Sequence, residues 1–287
     1  MESYRKLVYP YLAWMGVFIA LPMLLILMYA FTTSGNELVS FVFTLDNFKR
    51  FFDPIFVNVL LRSLYIAGVT TILCLFIGYP MAYMISRLLP RLQVLMMLFV
   101  TIPMWINTLI RTYSWISLLA DNGIINRLLS SLGIGPFKMM YTDFSVTLGM
   151  IYTFLPFMIL SIYSQLAKMD NSLLEAASDL GASRIKSFLK VTLPLSIPGV
   201  ISGITLVFLP SVSSFIVPQL LGGGSYMLIG NLIEKQFILT AEWNFGSAIS
   251  LLMTLVILVS MALIRYFDKD IENKEARSSR RNQYGRV

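Results

Sequence analysis

Six long apolar segments, separated by polar stretches, dominate the hydrophobicity pattern of this chain. They cover residues 9–31, 58–85, 92–116, 144–166, 195–221 and 245–267. Each segment is long enough to span a membrane, because an α-helix needs about 20 apolar residues to cross the hydrocarbon core of a bilayer. The pattern predicts an all-α, polytopic integral membrane protein. Residues 1–287 would form one transmembrane domain with six spans and a charged tail at residues 268–287.

Basic residues are distributed unevenly between the two sides that six spans would create. One side receives both termini, the turn with Arg87 and Arg91, and the polar loop at residues 168–194, and it carries most of the Lys and Arg residues. The basic residues of the other side are Lys49, Arg50, Arg127, Lys138 and Lys235. Because cytoplasmic loops are enriched in Lys and Arg, both termini and the loop at 168–194 are predicted to be cytoplasmic. The net charge of +7 therefore reflects topology and requires no nucleic-acid partner.

Composition argues against several kinds of chemistry. The chain has no histidine, the commonest general base and metal ligand, and its one cysteine, Cys74, lies inside an apolar segment and is predicted to pack in the core. No pair of carboxylates lies deep in a span. The glycine-rich residues 222–225 lack the Lys-Ser/Thr of a phosphate-binding loop and are interpreted as a flexible turn. We therefore predict a non-catalytic chain that itself binds no metal and no cofactor.

The polar loop before the fifth apolar segment is predicted to contain two short helices. Ser172 and Glu175 have the spacing of a capping box that would begin the first helix, and Gly181 suits the left-handed residue that ends it. Ser183 is a favourable N-cap for the second helix, and Pro194 is placed to end it. Helices of about two turns are marginal in water, so the apolar face of the second must pack against another surface. That face consists of Ile185, Phe188 and Leu189.

The same loop has the spacing of a known motif. Glu175-Ala176-Ala177 is followed after three residues by Gly181 and after nine more by Val191-Thr192-Leu193-Pro194. This arrangement resembles the EAA loop of the permease subunits of bacterial ABC importers, with Val191 in place of the usual Ile. The resemblance implies a type I importer permease fold, in which the loop is a cytoplasmic coupling helix that sits in a cleft of the ATP-hydrolysing subunit. The residues it assigns to coupling are Glu175, Ala176, Ala177, Gly181, Phe188, Leu193 and Pro194.

An ordinary cytoplasmic helical hairpin, in which Glu175 is only a cap, is the alternative interpretation of this loop. Further short motifs, spread over nearly the whole chain, resemble the permeases of spermidine/putrescine importers in particular. These motifs are residues 43–48 (FTLDNF), 78–80 (GYP), 103–107 (PMWIN) with 109–111 (LIR), 228–231 (LIGN) and 243–246 (WNFG). Permeases for ferric iron, sulfate and molybdate share the architecture, so these substrates remain alternatives.

The resemblance also implies partners and a location. It implies a heterodimer with a second permease subunit, two copies of a cytoplasmic ATPase that bind ATP and Mg, and an external substrate-binding protein. The assembly would lie in the bacterial inner membrane and work by alternating access. The chain itself would bind no cofactor, since ATP hydrolysis belongs to the partner.

Polar and aromatic side chains in three spans form a candidate translocation path. On the third span Trp105, Thr108, Thr112 and Trp115 share one face at helical spacing, on the fifth Ser211, Ser214 and Phe215 do so, and Tyr152 lies in the middle of the fourth. Prolines in these spans would free backbone carbonyls that can line a cavity, and aromatic faces can hold an ammonium group by cation–π contact. The alternative is helix–helix packing, where Ser and Thr are common.

Two arginines, Arg62 and Arg111, lie near the predicted outer ends of spans and are predicted to be interfacial anchors whose long side chains reach the polar boundary. Two other classes of protein fit the sequence less well. A gradient-driven secondary transporter usually has buried ionisable residues and inverted repeats, and an intramembrane enzyme needs an acid, base or metal set. The sequence pattern indicates none of these features, so a partner ATPase is the predicted source of energy.

Overall fold

The computed structural model describes residues 2–33, 42–170, 172–224 and 226–284, and within these ranges the chain is helical apart from loops and one isolated bridge between Thr32 and Phe43. The helices are α1 (Glu2–Met15), α2 (Leu21–Ala30), α3 (Asp46–Phe51), α4 (Pro54–Ser86), α5 (Pro90–Trp105), α6 (Thr108–Leu119), α7 (Ile124–Ser131), α8 (Asp143–Leu166), α9 (Ser172–Asp179), α10 (Arg184–Ser187), α11 (Leu193–Ser213), α12 (Ile216–Leu221), α13 (Ile229–Glu234) and α14 (Trp243–Tyr284). Wider π-helical turns occupy Gly16–Ala20, Phe188–Thr192 and Lys235–Leu239.

In the part of the chain that the structure describes, five helical segments are long and apolar enough to cross a membrane. They are Tyr9–Ala30, Pro54–Ser86, Asp143–Leu166, Arg184–Ser213 and Trp243–Tyr266. A sixth span is formed only if two helical segments, Pro90–Trp105 and Thr108–Ser131, are taken together across a bend of 94°. The predicted all-α, polytopic fold is confirmed, but the prediction of one continuous third span over residues 92–116 is wrong.

The break in the third span has a local cause. Pro103 lies in the last turn of α5, where its ring disturbs the helix, and Ile106 is extended with φ −82° and ψ 135°. Asn107 then begins a new helix, because its side chain accepts a hydrogen bond from the N–H of Leu109 at 2.8 Å. Asparagine is among the best N-cap residues, so the new helix α6 starts in a new direction.

The predicted fifth span, residues 195–221, also differs from the structure. Its helix begins earlier, at Arg184, and ends at Ser213; the extended residue Ser214 and then Phe215 separate it from α12. The sixth helix extends further than predicted, because the backbone of α14 stays helical through Tyr284, into the segment predicted as a charged tail. Residues 285–287 and Ser225 of the predicted glycine-rich turn lie outside the described residues.

Three helices, α4, α8 and α11, form the core of the domain. Cys74 of α4 is fully buried in this core, among residues such as Ile66, Met150 and Met158, as expected for a packing role. The packing is close, since a Cβ atom built on Gly203 of α11 would lie 2.6 Å from the sulfur of Met158. A tightly packed three-helix core supports the more irregular spans around it.

The first span lies apart from this core and packs against α14. Two asparagines fix its C-terminal end. Asn47 donates to the carbonyls of Ala30 and Thr32 at 3.1 and 3.0 Å, and Asn244 donates to those of Tyr29 and Thr32 at 3.0 and 2.9 Å. The last carbonyls of a helix have no partner within it, so these side chains satisfy groups that hydrocarbon could not.

Candidate coupling hairpin and transport path

The first arm of the loop at residues 168–194 is α9, and it ends as predicted. Gly181 has φ +76°, in the left-handed region. Its N–H donates to the carbonyl of Ser178 at 2.8 Å, and the N–H of Ala182 donates to that of Ala177 at 3.0 Å. This pair of bonds is a Schellman motif, which closes a helix and reverses the chain. We call residues 172–192 the coupling hairpin.

The start of α9 differs from the prediction. The N–H of Ser172 donates to Oδ1 of Asp170 at 2.9 Å, and this hydrogen bond lowers the pKa of the Asp170 carboxyl. The predicted capping box between Ser172 and Glu175 is therefore wrong, because the carboxylate of Asp170, and not that of Glu175, accepts the hydrogen bond from the N–H of Ser172. Glu175 lies instead in the first turn of α9 with its side chain exposed, where the helix dipole favours a negative charge. It is accessible to a partner.

The second arm begins as predicted but does not end at Pro194. The hydroxyl of Ser183 accepts from the N–H of Lys186 at 3.4 Å and caps α10. The N–H of Leu193 then donates to the carbonyl of Phe188, five residues earlier, and this wide turn makes room for a proline, which lacks an N–H. Pro194 therefore lies inside a continuous helix, Arg184–Ser213, that joins the hairpin directly to the fifth span.

The predicted apolar face of the second arm divides into two. Phe188 packs inward, edge-on against the rings of Tyr79 and Tyr83 at centroid distances of 6.0 and 5.3 Å. Ile185 and Leu189 point outward and are exposed. Leu180 was not among the predicted residues, yet it is 88% exposed at the turn of the hairpin.

The outward residues form what we call the docking surface, and an exposed apolar patch of this kind usually marks a protein interface. It consists of Glu175, Ala176, Leu180, Gly181, Ile185 and Leu189. Of the other residues predicted to act in coupling, Ala177 and Pro194 are half-buried and Leu193 is 36% exposed.

The break in the third span separates the side chains predicted to share one face. Trp105 ends α5 and is 88% exposed, whereas Thr108, Thr112 and Trp115 belong to α6. Thr112 is buried, and its hydroxyl donates to the carbonyl of Thr108 in its own helix at 2.7 Å. The predicted four-residue face is therefore wrong. Sequence spacing assumed a continuous helix that the cap at Asn107 ends.

Arg111 lies at the centre of the side chains that the structure does bring together. The rings of Trp115 and Tyr152 meet edge-to-face at 5.4 Å, and the Arg111 guanidinium lies 5.8 Å from the Tyr152 ring. Arg111 Nη2 donates to Oγ1 of Thr108 at 3.2 Å, while Nε and Nη1 have no acceptor among the described residues.

Arg111 is only 9% exposed, so its predicted role as an interfacial anchor is wrong. A buried cation with unmatched donors is costly in a membrane protein and is therefore a candidate functional group. The sequence signal was the ionisable residue within an apolar segment, but its depth depends on the break at Asn107.

Arg62, the other predicted anchor, is a member of a cluster that sequence analysis missed. Its guanidinium pairs with Oδ1 of Asp143 at 2.8 Å and stacks over the ring of Tyr226 at 4.1 Å. The Tyr226 hydroxyl donates to the same Asp143 oxygen at 2.7 Å. Burial raises the pKa of Tyr226, which keeps the phenol in its donating form. The cluster joins α4, α8 and the segment after α12 at the end of the domain opposite the hairpin.

The break in the fifth span is built by the motif at residues 228–231. Asn231 donates to the carbonyl of Phe215 at 2.8 Å, and the N–H of Ile229 donates to Oγ of Ser63 at 2.8 Å. A Cβ atom at Gly230 would lie 2.5 Å from the carbonyl oxygen of Ser213, so only glycine fits there. The motif thus holds the non-helical residues Ser214 and Phe215 in place.

The two breaks are neighbours, because α12 packs against α6. Among the predicted path residues, Thr108 and Tyr152 contact Arg111 and Trp115 packs on Tyr152. Ser214 and Phe215 lie in the fifth-span break. Ser211 is buried beside that break with its hydroxyl unpartnered among the described residues. Irregular backbone at membrane depth is tolerated where it is buried in protein or lines a cavity, so this region is the candidate path.

Comparisons with known proteins agree with this architecture. A sequence profile of the family described as "Binding-protein-dependent transport system inner membrane component" matches residues 75–273. The chain is 40% identical over 258 residues to the spermidine/putrescine transport system permease protein PotB of Haemophilus influenzae, covering 89% of this chain and 90% of that protein. It is also 40% identical over 266 residues to PotB of Escherichia coli K12, covering 90% of this chain and 97% of that protein.

A solved structure shares the fold. It is described as a bacterial alginate ABC transporter in complex with an alginate pentasaccharide-bound periplasmic protein. One of its chains superposes with a TM-score of 0.79 at 18% sequence identity, covering 93% of this chain and 94% of that chain. At this identity the match establishes the fold and not the substrate.

Proposed function

Since the chain belongs to the family of binding-protein-dependent transport system inner membrane components, we propose that it is the permease subunit of an ATP-driven importer for the polyamines spermidine and putrescine. Membership in this family makes it a multi-pass, non-catalytic component of the inner membrane. The observation that supports the polyamine substrate is the similarity to two spermidine/putrescine permease proteins over about nine tenths of the chain.

In this proposal the coupling hairpin transmits the motion of a cytoplasmic ATPase. Its docking surface presents Leu180, Ile185 and Leu189 around the exposed carboxylate of Glu175. Two ATPase copies, which bind ATP and Mg, would act on this hairpin and on its equivalent in a second permease subunit. The continuous helix Arg184–Ser213 supports the proposal, because movement of the docked arm must move the fifth span.

The substrate would pass the region where the two broken spans meet. The faces of Trp115 and Tyr152 can hold a polyamine ammonium by cation–π contact, and the second permease subunit would complete the path. In the arrangement seen here, the positive charge of Arg111 would repel a cationic substrate. Its two unmatched donors are what we expect of a group that finds its acceptor in another conformation of the transport cycle.

Uptake in cells tests the substrate assignment. Cells that lack their own polyamine importers, and that express this chain with its cognate transporter subunits, should accumulate labelled spermidine. Unlabelled putrescine should compete, whereas ferric iron, sulfate and molybdate should not. Cells without this chain serve as the control. Transport of one of the other solutes, with no polyamine uptake, would contradict the polyamine assignment while leaving the family unaffected.

A pair of tyrosine variants tests the path. Tyr152→Leu removes the ring beside Trp115 and Arg111, and we expect it to raise the KM for spermidine uptake severalfold. Tyr113→Leu makes the same change at an exposed position of α6 and should leave KM unchanged. Equal KM values in the two variants would return Tyr152 to a packing role.

A further inference from the structure

Arg111 occupies a position that three features of the structure make unfavourable for a positive charge. The first feature is depth. α5 has 16 residues, so at a rise of 1.5 Å each the third span breaks about 24 Å from its predicted cytoplasmic end, inside a hydrocarbon core of about 30 Å. Because the bend of 94° turns α6 away from the direction of α5, Arg111, one turn into α6, stays near this depth.

The second feature is the lack of a compensating negative charge. α6 packs against α7, α8 and α12, and the one carboxylate in these four helices is that of Asp143, which pairs with Arg62 at 2.8 Å. Nε and Nη1 of Arg111 have no acceptor in the described part of the chain. A buried charge is normally paired with one of opposite sign, so the positive charge of this guanidinium is uncompensated.

The third feature is the end of α6 itself. Nη2 of Arg111 donates to Oγ1 of Thr108, the first residue of α6, at 3.2 Å, so the guanidinium lies beside the N-terminus of a 12-residue helix. A helix N-terminus carries a partial positive charge and favours an anion over a cation. The guanidinium and the helix end therefore add their positive potentials at one place.

Positive potential of this kind has a known use in membrane pores, where an arginine or the positive end of a half-helix excludes cations and protons. The Arg111 guanidinium lies 5.8 Å from the ring of Tyr152, a residue of the candidate path. At about 6 Å, and at an effective dielectric constant of about 20, a fixed unit charge disfavours a monovalent cation about 100-fold. The charge of Arg111 is thus close enough to the path to control which ions enter it.

We propose that Arg111 and the N-terminus of α6 form an electrostatic barrier that keeps small inorganic cations out of the transport path between transport events. A path lined by aromatic faces would otherwise attract sodium ions and protons, which an inside-negative membrane potential drives into the cell. The substrate passes in the conformation in which Arg111 reaches an acceptor and the barrier is withdrawn. This inference rests on the proposed path, to which it adds the exclusion of ions, and it does not depend on which solute is carried.

Ion leakage through the reconstituted complex tests the proposal. The full chain, with the subunits that co-purify with it, is placed in liposomes that contain a pH-sensitive dye. A potassium gradient with valinomycin then sets an inside-negative potential, without ATP or polyamine. We expect Arg111→Gln to raise the influx of protons and of radioactive sodium ions about tenfold or more, whereas Arg111→Lys keeps the charge and stays tight. Arg127→Gln removes the same charge from an exposed position in α7 and should leave the influx unchanged.

Thermal unfolding of the same variants separates a barrier from a packing role. Removal of an uncompensated buried charge should leave the melting temperature unchanged or raise it, whereas loss of a structural contact lowers it. A lower melting temperature without leakage would assign Arg111 to packing and overturn the proposal. Arg111→Met, which has no charge, provides the same leakage test if Arg111→Gln does not assemble.

Three leakage results would also overturn the proposal. Wild-type influx in an assembled complex without the Arg111 charge would show that no barrier exists. Equal leakage in Arg111→Gln and Arg111→Lys would assign the leak to lost shape, and equal leakage in Arg127→Gln would assign it to surface charge. Spermidine uptake by the wild-type liposomes, with ATP and binding protein, is measured separately, and its absence would contradict the polyamine substrate without affecting the barrier.

Discussion

Two prolines near the ends of spans have opposite effects on the helices that contain them. Shortly after Pro103 the third span breaks and turns by 94°, whereas the helix with Pro194 continues from Arg184 to Ser213. The neighbouring backbone explains the difference. Asn107 caps a new helix at the first site, and a wide turn before the second absorbs the missing N–H. A proline marks a place of adjustment, and its neighbours decide whether the helix ends.

The same contrast, between a continuous helix and a broken one, distinguishes the two ends of the molecule. At the hairpin end one continuous helix joins the docking surface to the core. At the opposite end, two breaks create short helices that are held by side-chain hydrogen bonds to the backbone. A continuous helix transmits movement, while a capped break allows irregular backbone to be presented to a path. This difference can be tested from either end.

The largest loss of ATP-dependent uptake is expected from a change at the turn of the hairpin. Gly181→Val places a β-branched residue at φ +76°, which costs roughly 1–2 kcal/mol in a short helix pair that has little stability of its own. We expect ATP-dependent uptake to fall more than about tenfold, while the protein remains in the membrane. ATP hydrolysis of the reconstituted complex, with and without loaded binding protein, measures the loss of coupling.

The matched control for this change is Gly133→Val. Gly133 has φ +75°, and a Cβ atom there, as at Gly181, meets nothing within 4 Å. The backbone strain is therefore the same, but Gly133 lies in the loop between α7 and α8 and not in the hairpin. Normal coupling in Gly181→Val, or equal loss in both variants, would contradict the role of the hairpin.

A smaller loss of uptake is expected from a change where the second arm meets the core. Phe188→Ala removes the half-buried ring that packs on Tyr79 and Tyr83, at a cost of up to about 3 kcal/mol. The helix should then transmit movement less efficiently, and stimulated ATP hydrolysis should exceed transport. Leu189→Ala, an exposed neighbour on the same arm, should leave that packing intact and affect only ATPase attachment. Similar ratios of hydrolysis to transport in the two variants would argue against a mechanical role for Phe188.

At the opposite end, Gly230→Ala should disturb the fifth-span break. The added Cβ would lie 2.5 Å from the Ser213 carbonyl oxygen, and such overpacking costs roughly 1–3 kcal/mol. Thermal unfolding of the purified protein should shift downward and uptake should fall, with the ATPase still attached. Gly224→Ala, where a Cβ atom meets nothing within 4 Å, should change neither. An unaltered melting temperature for Gly230→Ala would show that the backbone at Ser213 and Ser214 shifts to make room for the added Cβ atom at little cost.

The smallest effect is expected at the cap of α6. Asn107→Ala removes the acceptor for the Leu109 N–H and should cost about 1 kcal/mol. The third span should then fray at its break, and hydrogen exchange of the first turn of α6 should accelerate. Asn58→Ala, at an exposed position inside α4, is the control. If protection from hydrogen exchange at the start of α6 is unchanged, packing and not the cap keeps the first turn of this helix formed.

The contrast between the two ends also explains what could be predicted from the sequence. Apolar length was sufficient for the approximate positions of five membrane-spanning helices, and local rules were sufficient for Gly181 and Ser183, whose conformations depend on a few neighbours. The fifth-span break could not be placed, because it depends on groups far along the chain. Asn231 reaches back to Phe215, and Ser63 supports Ile229.

The candidate path was predicted least well, because its shared faces were inferred for straight helices. Trp105 and Trp115 share a face only if the helix between them is straight, and Asn107 makes that false. Arg111 and Arg62 were both interpreted as anchors, although the structure buries the first and pairs the second with Asp143. The motif asparagines Asn47, Asn107, Asn231 and Asn244 were a usable signal. Each binds backbone at the end of a helix or at a break in one.

The length of the helix Arg184–Ser213 sets a scale for the motion it can deliver. Its 30 residues, at a rise of 1.5 Å each, extend for about 45 Å. A tilt of about 5° around the hairpin end would carry Ser213 sideways by about 4 Å, which is close to the width of an ammonium-bearing chain. The residue that follows is Ser214, where the helix stops. If the hairpin docks as proposed, a small rotation of its second arm would displace the edge of the candidate path by about the diameter of the proposed substrate chain.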